Sequence, residues 1–407
     1  MATHPRFESV DSHGCSIVLR RIEGPHAREM FFSCQPPDEI VDAERQAEAI
    51  YKVILEVLQA EGGSFASIVA ETVFLRNMQA NIQSVRKARQ RVLDASDAPT
   101  FNSALLEIEQ PPLNERAFLE VSVQAVLPKE AFSPFEPITV KPTCSCAQCA
   151  RVRGLHIRLG NETRFYAGAL CGPGEDAYEQ TLGMFGLAEK LLQQAGMEFS
   201  DVVRTWIHLR EMERDYGQFN RARREFFESR GIEPVPASTA IGGGPVSETH
   251  DLCLGLYAVK GERAVERTIM TSPTLNEAME YGADFVRGMR VIEANKEALF
   301  ISGTASVDEA GDTVHIGDFD AQADRMLVNV AALLKGQGST FRDIVSAITY
   351  VKHPADTKRL CEKFEEAGFE GFPNVMVEAP VCRSNLLCET EVLAVLPKTV
   401  KDSPDAT

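Results

Sequence analysis

Residues 381–397 read VCRSNLLCETEVLAVLP and bring two cysteines, an arginine and two glutamates together in one short run. Glu389 and Glu391 lie two apart in a strand-like run, so alternation puts both on one face. Two carboxyls that close do not ionise independently. One stays charged and raises the pKa of the other. Glu389 sits among Leu386, Leu387, Val392 and Leu393, an apolar setting that favours a proton-holding acid near neutral pH. Such a group is a general acid. Arg383 offers a planar fork of donors suited to a carboxylate, and Cys382 adds a thiol. Glu389, Cys382 and Glu391 are therefore the catalytic candidates and Arg383 a substrate-binding one, whereas Cys388 reads as core.

Further candidates come from upstream. Arg204 in VVRTW and Arg287 in FVRGMR could supply positive charge to an anionic ligand. Arg223 in FNRARR reads as a surface arginine of an acid-rich protein. Ser302, Gly303 and Thr304 could line a pocket through backbone N–H groups; the alternative for Gly303 is a tight strand-to-turn packing requirement.

The elements that must hold these residues occur three times. Gln46, Gln180 and Gln322 each open an amphipathic, helix-like segment. A phenylalanine follows nineteen residues later (Phe65, Phe199, Phe341), with a glycine three before it (Gly62, Gly196, Gly338). The spacing predicts a helix ending near the glycine, then a strand. An upstream strand places Cys34, Gly168 and Gly303 equivalently, and a second helix follows in each copy. Each copy closes on FLEVSVQAVLP, LCLGLYAVKG or LLCETEVLAVLP. Glu120 matches Glu389 without the Cys-Arg pair, and Cys253 takes that place in copy two. This order predicts α+β units with mixed sheets and helices on one face. The units are residues 1–130, 151–262 and 285–398, with linkers at 131–150 and 263–284 and a tail at 399–407.

Composition narrows the function class. At 44% hydrophobic and 25% charged residues the chain is globular, and a net charge of −17 argues against a nucleic-acid partner. No apolar run has the roughly 18 residues of a membrane span, and the N-terminal sequence lacks a secretory pattern. A cytoplasmic setting with reduced cysteines is expected. Cys144, Cys146 and Cys149 could bind zinc given a fourth ligand such as Cys171 or His156, but a second Cys-x-x-Cys pair is missing, so no metal is assigned. The AIGGGP run reads as a flexible turn, since no Gly-Lys-Ser/Thr follows it. With no Rossmann or nucleophile-elbow motif either, no cofactor is expected.

The helix, the Phe-x-Asp-Ile/Val-Val run and the closing Glu-x-Glu-x-x-Ala strand resemble the RidA/YjgF family, as does LFISGTASVDEAG. That resemblance implies a chorismate-mutase-like fold. Three tandem domains in one chain imply an intramolecular pseudo-trimer, monomeric or further assembled, with clefts between repeats. It also implies imine or enamine hydrolysis with an arginine two residues after a proline. The matching positions hold Phe101, Ser238 and Val375 instead. VCRSNLLCETE, RTWIHLREMERDYGQFNRARREFF, PASTAIG and FVRGMRV resemble chorismatases, cofactor-free enzymes that release pyruvate from an enol ether. The chorismatase resemblance implies a cleft between copies two and three, a pocket role for Cys382, and Glu389 protonating the vinyl carbon of a small carboxylated substrate. The alternatives are an imine or enamine deaminase, or a non-catalytic metabolite-binding pseudo-trimer.

Overall fold

A computed structural model describes residues 6–96, 103–129, 135–140, 154–278 and 284–396. The first sheet contains β1 (Arg6–Ser12), β2 (Cys15–Glu23), β3 (Ala27–Gln35), β4 (Ile68–Leu75), β5 (Ala104–Glu109) and β6 (Leu119–Pro128), backed by α1 (Ala43–Ala60) and α2 (Met78–Asp94). The second contains β7 (Glu136–Ile138), β8 (Gly154–Leu159), β9 (Glu162–Leu170), β10 (Val202–Leu209) and β11 (Ala237–Gly242). After the short β12 (Gly244–Pro245) it is completed by β13 (Leu252–Gly261), with α3 (Ala177–Gln194) and α4 (Met212–Arg230) behind it. The third contains β14 (Glu266–Ile269), β15 (Gly288–Ile292), β16 (Glu297–Ala305), β17 (Ile344–Val351), β18 (Asn374–Glu378) and β19 (Cys388–Leu396), with α5 (Phe319–Gly336) and α6 (Thr357–Ala367).

The strand order repeats: β2-β3-β6-β4-β5, β8-β9-β13-β10-β11 and β15-β16-β19-β17-β18. The closing strand lies mid-sheet each time. The last pair, β4 with β5, β10 with β11 and β17 with β18, is parallel because a helix crosses between its strands. Two segments differ from their sequence reading. The AIGGGP run is ordered, since Gly244 and Pro245 pair with Glu109 and Ile108 of the first sheet and bind repeat two to repeat one. The joint before repeat three contributes an edge strand, β14, to the third sheet.

The recurring residues have concrete tasks. Gly62, Gly196 and Gly338 adopt left-handed φ of +81°, +70° and +71°, with open space where a Cβ would go, so conformation and not crowding requires glycine. Phe65, Phe199 and Phe341 each open a one-turn 3-10 helix before the central strand. The three glutamines are latches. Phe118 N donates to Gln46 Oε1, Asp251 N to Gln180 Oε1 and Leu387 N to Gln322 Oε1, all at 2.8 Å. Gln322 Nε2 also donates to Asn385 O at 2.9 Å. A buried amide on the first helix therefore fixes the loop leading into the closing strand.

The three sheets face a common axis and are tied there by buried charges. Arg164 of repeat two contacts Glu29 of repeat one at 2.8 Å, Glu162 at 2.8 Å and Glu293 of repeat three at 2.7 Å. Lys296 reaches Glu29 at 2.8 Å and Glu293 at 2.7 Å. Among the described residues, no helix is long and apolar enough to cross a membrane.

Candidate functional site

Between repeats two and three lies a cleft of about 170 Å³, lined by residues of α4, β11, the end of β16 and the loop entering β19. Glu389, the second residue of β19, opens onto it. Its neighbour across the sheet is Ala305, beyond a register shift in β16 between Ile301 and Thr304. Gly303 occupies that shift. A Cβ there would stand 1.9 Å from Glu389 Oε1 and 3.1 Å from Thr239 Cγ2. The absent side chain is the space that the carboxyl fills. Gly303 N donates to Thr239 Oγ1 at 3.0 Å, which fixes the two strands around that space.

Glu389 is 4% exposed, and no hydrogen bond reaches its carboxyl among the described residues. Burial, then the charge of Glu391, push its pKa up to about 8, against the opposing pull of Arg287, Arg204 and Arg383. The group therefore holds a proton at neutral pH. Three arginines line the same cleft. Arg287 donates to Asn276 O at 2.9 Å and lies over Phe285 at 5.5 Å. Arg383 donates to Gly311 O at 2.7 Å. Arg223 donates to Asn220 Oδ1 at 2.7 Å and lies over Phe219 at 4.8 Å. The half-buried Cys382 completes the wall, its thiol pushed up to about 12 by burial and by Glu389. A thiol raised that far stays protonated at neutral pH.

Glu389, Cys382, Arg383, Arg287 and Gly303 thus share one cleft. Glu391 and Arg204 do not. Glu391 lies on the same face of β19, one step further along, where it enters a central cavity. It accepts from Arg204 Nη2 at 2.8 Å and Trp206 Nε1 at 2.7 Å. Arg204 Nη2 also donates to Thr239 Oγ1, so this pair supports the cleft wall from behind. Ser302 and Thr304 are buried behind Gly303. Ser302 Oγ donates to Val286 O at 2.6 Å, and Thr304 Oγ1 to Ser302 O at 2.9 Å. Their alternation with Gly303 turns both side chains away from the cleft.

Arg223 requires the opposite correction, since it is 2% exposed and faces the cleft. Tyr216, Asn220 and Arg223 are spaced i, i+4, i+7 on α4, the interior stripe of that helix. An arginine on a stripe otherwise holding Phe219, Phe226 and Phe227 was the available signal.

The other two interfaces differ. Glu120 is buried with its pKa pushed up to about 8, but Gln35 Nε2 donates to it at 3.3 Å. Cys253 is buried with its thiol pushed up to about 12. Of the positions that the deaminase resemblance assigns to an arginine, Ser238 lies in the cleft and accepts from Thr205 Oγ1 at 2.9 Å. Val375 packs in an apolar cluster, and Phe101 lies outside the described residues. Cys144, Cys146 and Cys149 also lie outside them.

The endoribonuclease L-PSP family matches residues 161–254 and 277–396. A 3-hydroxybenzoate synthase from Streptomyces hygroscopicus is 26% identical over 309 residues, spanning 69% of this chain and 86% of that protein. A chorismatase from Streptomyces rapamycinicus is 28% identical over 201 residues, spanning 43% of this chain and 56% of that protein. Among solved structures, a chorismatase aligns with a TM-score of 0.57 at 15% identity, covering 81% of this chain and 93% of that one. That structural likeness is one of fold.

Proposed function

This chain belongs to the endoribonuclease L-PSP family, and we propose that repeats two and three form a chorismatase-type hydrolase acting on a small dicarboxylated enol ether. One observation carries this reading. A buried carboxyl that holds its proton at neutral pH faces three arginines within a single cleft. With Glu389 protonated, the arginine charge facing the ligand is not neutralised by it, which suits a dianion. Each carboxylate of such a ligand can meet a planar fork of donors.

The chemistry follows from that pairing. Glu389 transfers its proton to the terminal vinyl carbon of the enol ether, leaving an oxocarbenium ion. Water adds to the cationic carbon while the Glu389 carboxylate takes its proton. The hemiketal then collapses to a ketone and an alcohol, restoring the starting protonation state. Arg223, Arg287 and Arg383 hold the carboxylates and orient the vinyl carbon toward Glu389. The names of the two relatives, a chorismatase and a 3-hydroxybenzoate synthase, favour chorismate as the first compound to try.

The test is incubation with chorismate, coupled detection of pyruvate, and chromatography of the ring product. Pyruvate release that falls about 10³-fold in Glu389→Gln supports the proposal. 3-Hydroxybenzoate as ring product would assign elimination within the ring in place of water addition. Absence of both pyruvate and chorismate binding refutes the substrate. Ammonia release from fresh 2-iminoacids, with chorismate inert, would instead favour the imine hydrolase.

A further inference from the structure

The joint between repeats two and three reads as a linker in the sequence, but residues 270–278 form a strap fastened onto repeat three. Met270 N donates to Gly288 O at 2.8 Å, and the Met270 and Leu275 side chains enter the core of that repeat. Arg325 of α5 ties the middle of the strap to the loop after β16. Its Nη2 donates to Thr274 O at 2.8 Å and its Nε to Val307 O at 3.1 Å. Ala278, at the far end, packs against Phe285.

Within the strap, Asn276 grips Arg287 twice. Arg287 Nε donates to Asn276 O at 2.9 Å and Nη2 to Asn276 Oδ1 at 3.1 Å. Two bonds from one edge of a guanidinium to a single residue fix its plane, as a carboxylate does on an arginine fork. Phe285, packed on Ala278, lies under the same guanidinium at 5.5 Å. Arg287 lines the cleft and Asn276 does not, so the grip comes from outside it.

The amide of Asn276 also bears on the loop that follows β16. Gly311 turns there with a φ of +86°, and a Cβ on it would stand 2.6 Å from Asn276 Nδ2. Conformation and crowding both require glycine at this point. Gly311 O is the acceptor that holds Arg383 Nη1 at 2.7 Å, beside Thr313 Oγ1 at 3.3 Å. One side chain thus touches the supports of both cleft arginines supplied by repeat three. An arginine held in advance loses less side-chain entropy when it clasps a ligand than one that must first be ordered.

We propose that Asn276 is a positioning residue. It aims Arg287 and seats the Gly311 carbonyl under Arg383, so that the two guanidiniums meet a dicarboxylated ligand as a pair of fixed separation. This role rests on the dicarboxylate reading of the cleft, and it gives the choice of two carboxylates over one to a residue that never touches the ligand.

The experiment uses the full chain and two probes of one skeleton, isophthalate and benzoate, titrated by calorimetry alongside chorismate turnover. Wild type should bind isophthalate more tightly than benzoate. Asn276→Ala should cut that preference about tenfold, through isophthalate alone, and raise KM for chorismate by a similar factor with kcat little changed. Gly311→Ala, which presses on the same amide from the other side, should lower the preference likewise, with circular dichroism verifying the fold of each variant. A purely structural asparagine would lower stability in urea and leave the preference where it was, and that result overturns the inference. A wild type that binds the two probes equally overturns it as well. Chorismate left intact by a wild type whose isophthalate preference still depends on Asn276 would remove the proposed substrate and keep the positioning role.

Discussion

Replacing Glu389 by glutamine should alter the pH dependence of stability before any substrate is known. The carboxyl has an ordinary pKa of 4.5, raised to about 8 in the folded chain, chiefly by burial. Between those values the folded protein retains a proton that the unfolded chain has released. Stability therefore falls with rising pH, by about 1.4 kcal/mol per unit for this one group. The contribution is complete below about pH 4.5 and lost as pH passes about 8. Integrated over the window, the penalty is on the order of 5 kcal/mol. Glutamine keeps the shape and cannot ionise. The stability of Glu389→Gln relative to wild type should thus rise from pH 5 to pH 8 and level off above. Urea denaturation of both proteins at half-unit pH steps measures this, and the difference curve cancels the titrating groups that do not interact with Glu389. A difference flat to within 1 kcal/mol across that range would refute a proton-holding Glu389, and with it the general-acid assignment. Glu120→Gln, at the other buried glutamate pushed up to about 8, should give a similar and nearly additive curve because the sites are separate.

Three further outcomes follow from the geometry. Gly303→Ala should leave the fold intact but force the Glu389 carboxyl back by about 1 Å, lowering turnover of any cleft substrate roughly 100-fold; unchanged kcat would show that the carboxyl position is not critical. Arg164→Met should destabilise the chain by about 3–5 kcal/mol in urea, because Glu29, Glu162 and Glu293 lose a shared buried cation; a loss under 1 kcal/mol would mean that this cluster does not hold the repeats together. Iodoacetamide at pH 7.5 should label the exposed Cys361 well before Cys382, read by peptide mass spectrometry; rapid labelling of Cys382 would contradict a thiol pushed up to about 12.

The triplication was legible because its signature residues perform local tasks that sequence spacing records: a glutamine latch, a left-handed glycine and a phenylalanine opening a short turn. The cleft was only partly legible. Period-two alternation places Glu389 and Glu391 on one face but says nothing of where along the strand one compartment ends and another begins. One step of β19 separates the cleft from the central cavity, and Arg204 follows Glu391 into the latter. Arg223 was misread because a charged residue in an acidic chain is ordinarily exposed, whereas α4 turns this one inward. The Glu29–Arg164–Glu293–Lys296 cluster had no sequence signal at all. Its members come from three repeats and meet only when the sheets close around the axis.

The glutamine latch has a consequence for how such chains can be rebuilt. Residues 110–118, 243–251 and 379–387 are connections of one length, the second containing β12, each ending near the same amide on the first helix. The segment bearing Cys382 and Arg383 is thus a cassette with matched fittings at all three positions. Repeat one already carries a buried acid, Glu120, at the head of its closing strand. Exchanging that loop would carry Cys382 and Arg383 to another interface but leave behind Arg223, Arg287 and the Gly303 niche, which other elements supply.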